Sequence, residues 1–355
     1  MCLRAQTKRR RHLPPVEFHA RDALPPCVPA GERWTQCISN RTFKSKVIQL
    51  VIHRLTSTLG NLLSGDSQCL IVDYQGAPVR FSKIAPPTPL TGPTMSIPLG
   101  EADVKFVRYA DMFEKLQVDS VDGDSIPIAL LHMERGGLGQ ISVLRLETKL
   151  KEEKDAAAQA AKKLKLATGS SAKRPARVYE YVDIRLLFEA LRCMIIPQCT
   201  GRVPMTSHDG HEMSMLVCLI GLSGSDFTRG LPLVSGKTIH DYLPAIWTRL
   251  ARAYDTATRQ LDPDAALDML VSAIYRRKFE KHCCIGGGLD EVLSSIGTSS
   301  LSVKTRERLP SRATLHCTVR NVNWLLCYWH QPDYPDPVQP QFGFTKDRKG
   351  VRFDA

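Results

Sequence analysis

Apolar positions at Val47, Leu50, Val51, Leu55, Leu59 and Leu62 recur at helical spacing and predict a helix over residues 43–63. A Ser-Gly-Asp-Ser turn and the apolar run 69–72 follow, giving helix, turn and strand. Gly76 and Pro78 break the run, so Asp73 sits at a strand's carboxyl end, the edge where open α/β sheets bind ligands. After a Pro/Thr-rich loop, Val104, Val107, Met112 and Leu116 give a second helical pattern behind Gly100, with Glu101 and Asp103 in its first turn. The helix dipole favours ionised carboxylates there. Residues 126–132 read as strand-like and 141–146 as a second apolar stretch. Order resumes at Val178 and continues into an amphipathic segment at 184–195. Residues 213–221 form a buried helix or strand that runs into Ser223-Gly-Ser-Asp226, and a glycine-broken turn, Val234-Ser-Gly-Lys237-Thr, feeds a helix over 239–254. Such turns can present backbone N–H groups to a phosphate. The rest reads as helices and then a Pro-rich extended tail, with Trp324, Tyr328 and Trp329 as a packing anchor.

This pattern divides the chain into a basic, Pro-rich lead (1–42), with or without a first core strand, a core (43–255) and a helical C-terminal region (256–355). A Lys/Ala-rich insert at 147–177 interrupts the core, either as a solvated helical extension or as a mobile basic segment.

At 355 residues and 43% hydrophobic content, the chain can bury a large core in one elaborated domain or two packed ones. The longest apolar run, near 213–222, is too short and interrupted to span a bilayer, and no secretory signal pattern opens the chain, so no membrane association is expected. Eleven cysteines without regular spacing then read as reduced, intracellular thiols. His282-Cys283-Cys284 lacks the second pair that a structural zinc needs. The net charge of +12 is gathered in clusters at 8–12, 162–165, 173–177 and 276–281, which favour a polyanionic partner, DNA or RNA. The lead could serve as a nuclear address, an RNA-contacting arm or an organelle-targeting segment; a nuclear location is expected ahead of a cytoplasmic or mitochondrial one. The basic insert and the Pro-rich tail offer surfaces for a protein partner.

Against this basic background, Glu101, Asp103, Asp122 and Asp124 fall within 24 residues, each pair in apolar sequence. Asp226 and Asp73 close further apolar segments. Buried like charges need a counter-charge, and carboxylates gathered in this way suit hard divalent cations, Mg²⁺ or Mn²⁺. Asp122-Gly-Asp124 taken alone is also an ordinary turn sequence. Lys105, one helical turn beyond Glu101, can steady that carboxylate, touch a phosphate or act as a plain surface partner. His132 and His208 read as ordinary polar residues.

Four blocks, Ile71-Val-Asp-Tyr-Gln-Gly, Gly100-Glu-Ala-Asp-Val-Lys, Asp119-Ser-Val-Asp-Gly-Asp-Ser-Ile-Pro-Ile and Leu219-Ile-Gly-Leu-Ser-Gly-Ser-Asp-Phe, resemble in type and order the flap endonuclease and XPG-type nucleases of the PIN-like superfamily. The resemblance covers about 46–243 apart from the insert. It implies an α/β fold with a central, mostly parallel sheet flanked by helices, and a nuclease that uses two divalent ions. By the same resemblance Asp73, Glu101, Asp103, Asp122, Asp124 and Asp226 are the metal ligands, with Lys105 beside them in the catalytic set. Residues 230–237 resemble a shortened form of the family's duplex-gripping helix-two-turns-helix. The chain departs from the family in three places. Asp22 alone stands where an N-terminal strand aspartate is expected; only 27 residues separate Asp73 from Glu101, too few for the family's helical arch; and the Lys/Ala insert is additional. These departures leave open a catalytically inactive nuclease fold acting as a nucleic-acid-binding scaffold subunit, and an endoribonuclease.

Overall fold

The computed structural model describes residues 37, 40–63, 65, 68–73, 78–83, 86–90, 102–110, 112–120, 123–137, 140–146, 179–195, 210–225, 227–283, 287–330, 342, 344–347 and 350–353. Chain packing separates two compact units, Met1–Gly100 and Glu101–Ala355.

In the first unit, the Asn40 side chain accepts a hydrogen bond from the Phe43 N–H (3.1 Å) and so caps helix α1, Arg41–Leu62. The predicted helix is therefore present and starts two residues early. Phe43 is buried, while Leu50 and Val51 of the same helix are about half exposed. Strand β1, Cys69–Val72, ends just before Asp73, one residue short of the predicted end. It pairs antiparallel with β2, Val79–Ser82, in the register Cys69↔Ser82 to Val72↔Val79, and β2 pairs antiparallel with β3, Thr88–Pro89. The expectation that Asp73 lies at the ligand-binding edge of a parallel sheet is thus corrected. A few residues containing Gly76 and Pro78 can only turn the chain back as a hairpin, because a parallel return needs a crossover of a dozen residues or more.

The second unit opens with α2, Ala102–Ala110, whose Val104, Phe106, Val107 and Ala110 are buried. A short connection leads to β4, Lys115–Asp119, and then through α3, Ser125–Glu134, to β5, Gln140–Leu146, which pairs parallel with β4. The third strand, β6 (Tyr179–Asp183), is antiparallel to β5. The unit is mixed α/β, and the only parallel pair among the described residues is β4/β5, so the mostly parallel sheet is not what the described strands form.

Residues 126–132, read as strand-like, are helical, and this too is a correction. Ile128, Ala129, Leu130, Leu131 and His132 are all buried, so the segment is apolar on every side and shows no 3.6-residue alternation. Pro127 falls in the first turn, where its missing N–H costs nothing. The same all-round burial holds for α5, Glu212–Ser223, where Met213, Met215, Val217, Cys218, Leu219 and Leu222 are inside; this segment is the helix of the two alternatives.

Between β6 and α5 lies α4, Ile184–Ala190, capped by the Asp183 side chain on the Leu186 N–H and continued by a π-helical turn, Leu191–Ile195. The helix expected over 239–254 is two helices, α6 (Gly236–Asp241, capped by Ser235) and α7 (Leu243–Ala253). Pro244 opens α7 and stops α6 from running on. Tyr254 belongs instead to β7, Tyr254–Asp255, which pairs with β8, Gln260–Leu261.

The C-terminal part contributes α8 (Pro263–Ala265), a π-helical segment (Ala266–Val271), α9 (Ser272–Lys278), α10 (Leu289–Thr298), α11 (Val303–Arg306), α12 (Arg312–His330) and a hairpin of β9 (Phe344–Asp347) with β10 (Gly350–Phe353). The Trp324, Tyr328 and Trp329 group lies on α12, not in an extended tail. Trp324 and Trp329 are buried; Trp324 stacks on Tyr328 at 5.1 Å, and Trp329 meets Phe227 edge-on at 5.7 Å. This group is a packing anchor as its sequence suggests. No helix among the described residues is long and apolar enough to cross a membrane.

Candidate functional site

Chain direction brings four segment ends to one edge of the second unit. Helix α2 has nine residues and spans about 14 Å; β4 has five and spans about 17 Å. The two pack together across a short connection, which reverses the chain, so the start of α2 comes level with the end of β4. Helix α3 begins six residues beyond Asp119, after the turn at Gly123–Asp124, and therefore starts at that same edge.

Helix α5 supplies the fourth end because it runs antiparallel to α3. The Glu134 carboxylate, at the last residue of α3, accepts from the Met213 N–H (2.7 Å) and the Ser214 N–H (3.1 Å) at the start of α5. Ile126 and Pro127, in the first turn of α3, line the same groove as Leu219, Ile220 and Ser223 in the last turns of α5. The end of α5 thus lies beside the start of α3.

The loop that leaves α5 is closed tightly around position 226. Gly224 ends the helix at φ +97°, a conformation that glycine adopts without strain, and its N–H returns to Ile220 O (3.1 Å). The Ser225 N–H donates to Thr228 O (3.2 Å), and the Thr228 hydroxyl donates to Gly221 O (3.0 Å). The Ser225 hydroxyl accepts from the Phe227 and Thr228 N–H groups at 3.1 and 3.2 Å. The backbones of Gly230 and Ser223–Gly224 touch so closely that a Cβ on Gly230 would fall 2.5 Å from the Ser223 carbonyl. The Leu231 N–H to Leu222 O bond (2.8 Å) closes the loop.

Placed on this frame, Asp103 belongs to the first turn of α2 and Lys105 follows it on the same helix, half-buried. Asp124 immediately precedes α3, is half-buried, and makes no side-chain capping bond to that helix. Asp73 belongs to the first unit. Glu101, Asp122, Asp226 and Asp22 lie outside the described residues, as do the Asp103 side chain and His208; the described neighbours of the first three are the start of α2, Gly123 and the Ser225–Phe227 turn. The described side chains of the predicted ligand set are those of Asp73 and Asp124, and no group of three potential ligands forms among the described residues. Asp119, at the head of the third sequence block, is exposed at the carboxyl end of β4.

The opposite end of the α3/α5 pair holds a buried polar cluster that sequence reasoning missed. Besides its two backbone donors, Glu134 accepts a short hydrogen bond from the Ser214 hydroxyl. That hydroxyl lies 2.9 Å from His330 Nε2 on α12. Arg135 donates to the His330 carbonyl and lies 3.1 Å from His132 Nδ1. Burial raises the Glu134 carboxyl to about 7, against the lowering effect of its three donors. His330 is pushed down to about 4 by burial first and then by the Arg259 and Arg135 guanidiniums. Its Nδ1 finds no hydrogen-bond partner among the described residues. Glu134, Ser214 and His330 lie 80 and 116 residues apart, so no local pattern announces the cluster.

Comparison with protein-family models, with curated proteins and with solved structures gives no match.

Proposed function

We propose that this chain is a divalent-metal-dependent nuclease with a PIN-like α/β core, which hydrolyses phosphodiester bonds of DNA or RNA. The observation that carries this reading is the edge of the second unit where α2 starts, β4 ends, α3 starts and α5 ends. The sequence sets Glu101 and Asp103, Asp122 and Asp124, and Asp226 at or beside those ends. The five candidate donors of that edge are all carboxylates, the hard oxygen chemistry that Mg²⁺ and Mn²⁺ select over thiolate or imidazole. Two such ions, about 4 Å apart when bound, would activate a water for in-line attack and offset charge on the leaving 3′ oxygen.

The chain's own residues then have definite tasks. The N-termini of α2 and α3 favour negative charge on the carboxylates beside them. The loop at 224–231 is tied by hydrogen bonds on both sides of position 226, and Asp226 would serve as a ligand from it. Lys105, one helical turn beyond Glu101 in the sequence, would steady that carboxylate or meet a scissile phosphate, if it is more than a surface partner.

The test is cleavage of end-labelled 5′-flap DNA, single-stranded DNA and single-stranded RNA with Mg²⁺ or Mn²⁺, comparing wild type with Asp122→Asn/Asp124→Asn. Metal-dependent cleavage by the wild type alone is expected, and the cleaved substrate identifies the class. Metal-independent binding without cleavage would overturn the reading in favour of a scaffold.

A further inference from the structure

On the second unit, between α7 and α9, lies a cleft of about 310 Å³ that belongs neither to the carboxylate edge nor to the buried cluster. Its floor is small and apolar, Ala245, Ile246 and Ala273, and three guanidiniums line it: Arg249 from α7, Arg276 and Arg277 from α9. One carboxylate, Glu280, also lines it. Three positive groups against one negative leave the cleft with surplus positive charge, and a concave surface of one sign focuses the field on an anion.

The arginines are held in place as well as gathered. Arg276 donates to Gly287 O at 2.7 Å, and its Nε is buried without a hydrogen-bond partner among the described residues. Arg277 lies over the Tyr242 ring at 5.9 Å and is 3.6 Å from Glu280. Arg249 donates to Ala245 O within its own helix. A preorganised guanidinium fork matches phosphate oxygens two at a time, and this is the chemistry by which arginine recognises phosphodiesters. The exposed Lys278 and Lys281 follow on the same stretch of chain.

The cleft is also tied to the candidate nuclease edge. Tyr275, next to Arg276, donates its hydroxyl to Pro232 O (2.7 Å), just beyond the loop that carries position 226. Leu243 lines the groove that Ile126 and Ser223 also line, and Arg249 stands about 9 Å further along α7.

We infer that this cleft is a second phosphate-binding site, which holds the sugar-phosphate backbone of a nucleic acid away from the carboxylate edge. The inference deepens the proposed nuclease reading by giving the substrate a second point of attachment. The sequence alone supplied the cluster at 276–281, which a solvated helix face would explain equally well; the fold added Arg249 from a helix about 25 residues earlier and turned a stripe into a cleft.

The experiment is equilibrium binding of a labelled single-stranded oligonucleotide and its duplex to the full chain in EDTA, over a salt series. Arg249→Gln/Arg276→Gln/Arg277→Gln is compared with wild type. Loss of up to three phosphate contacts should lower the slope of log K against log salt by about 2 to 3 and weaken binding by on the order of tenfold or more. Arg249→Gln/Arg277→Gln spares the partly buried Arg276 and should give about two thirds of the slope change with an unaltered thermal midpoint. Unchanged slope and affinity in both variants would overturn the site. Metal-dependent cleavage, measured on the same proteins, separates the two readings. Reduced binding by the variants where the wild type never cleaves keeps the cleft and sinks the nuclease; wild-type cleavage with unaltered variant binding does the reverse.

Discussion

Helix α3 carries a carboxylate at each end, and the two have opposite environments. Asp124 precedes the first turn, half-buried, at an edge where three other segment ends gather. Glu134 closes the last turn, half-buried as well, but its oxygens are engaged by the first N–H groups of α5 and by Ser214. At one end a carboxylate stands beside a helix start without capping it. At the other a carboxylate replaces water at a helix start and ties three helices together. Charge type alone therefore says little about role; the helix end and what packs against it decide.

The sharpest way to break this comparison is to remove one charge at each end while preserving shape. Asp124→Asn should abolish metal-dependent cleavage by on the order of a thousandfold, about 4 kcal/mol of transition-state stabilisation, with an unchanged thermal midpoint. Glu134→Gln should leave cleavage within a few-fold. A Glu134→Gln protein that is stable but inactive would show that the buried end takes part in the chemistry.

Truncation tests the structural end more severely. Glu134→Ala strands the Met213 and Ser214 N–H groups and the Ser214 hydroxyl, and denaturant unfolding should show a loss of about 3 kcal/mol. A loss below about 1 kcal/mol would mean that solvent replaces the carboxylate there.

The pH dependence of stability sharpens the picture because the two titrating partners pull in opposite directions. Glu134 at about 7 stands above its ordinary 4.5, so its contribution is complete below pH 4.5 and is lost as pH rises through 7. His330 at about 4 stands below its ordinary 6.5, so its contribution is complete above pH 6.5 and is lost as pH falls through 4. Each is worth about 3 kcal/mol over its window, so the wild type should be nearly flat between about pH 4.5 and 6.5. Glu134→Gln should expose the histidine slope, with stability rising over pH 4 to 6.5. Denaturant midpoints across that range check it, and a variant as flat as the wild type would contradict the pairing.

A smaller effect is expected from Gly230→Ala. Its Cβ would meet backbone at Ser223 and Gly224, which cannot move like a flexible side chain, so the loop around position 226 must shift at a cost of about 2 kcal/mol. Cleavage should fall more than this destabilisation alone explains; a fall in thermal midpoint with unaltered cleavage would show that the loop does not position a catalytic group.

Much of the helical framework was legible along the chain. Helix α1 followed from a clear 3.6-residue stripe, and α2 from the Val104/Val107 spacing behind Gly100. Helix α3 was not legible as a helix, since five consecutive buried residues erase the periodicity on which such a reading depends. Strand direction was no more legible: the apolar run 69–72 looks the same in a parallel sheet or in a hairpin, and only its pairing with Val79–Ser82 tells them apart. Within the candidate site, the spacing of Glu101, Asp103, Asp122 and Asp124 and their place at segment ends could be read directly, whereas the arrival of the α5 terminus beside α3 could not.

By itself the sequence determined the acidic groups, the basic surplus around them and helix α2 beside Glu101, because charge and spacing are local properties. Tertiary structure decided that α3 and α5 run antiparallel, that Glu134 is enclosed with Ser214 and His330, and that Arg249 joins Arg276 and Arg277 in one cleft. Those outcomes depend on contacts between residues roughly 25 to 195 positions apart. Such contacts are fixed by which apolar faces cover one another, and no local pattern along the chain records that choice.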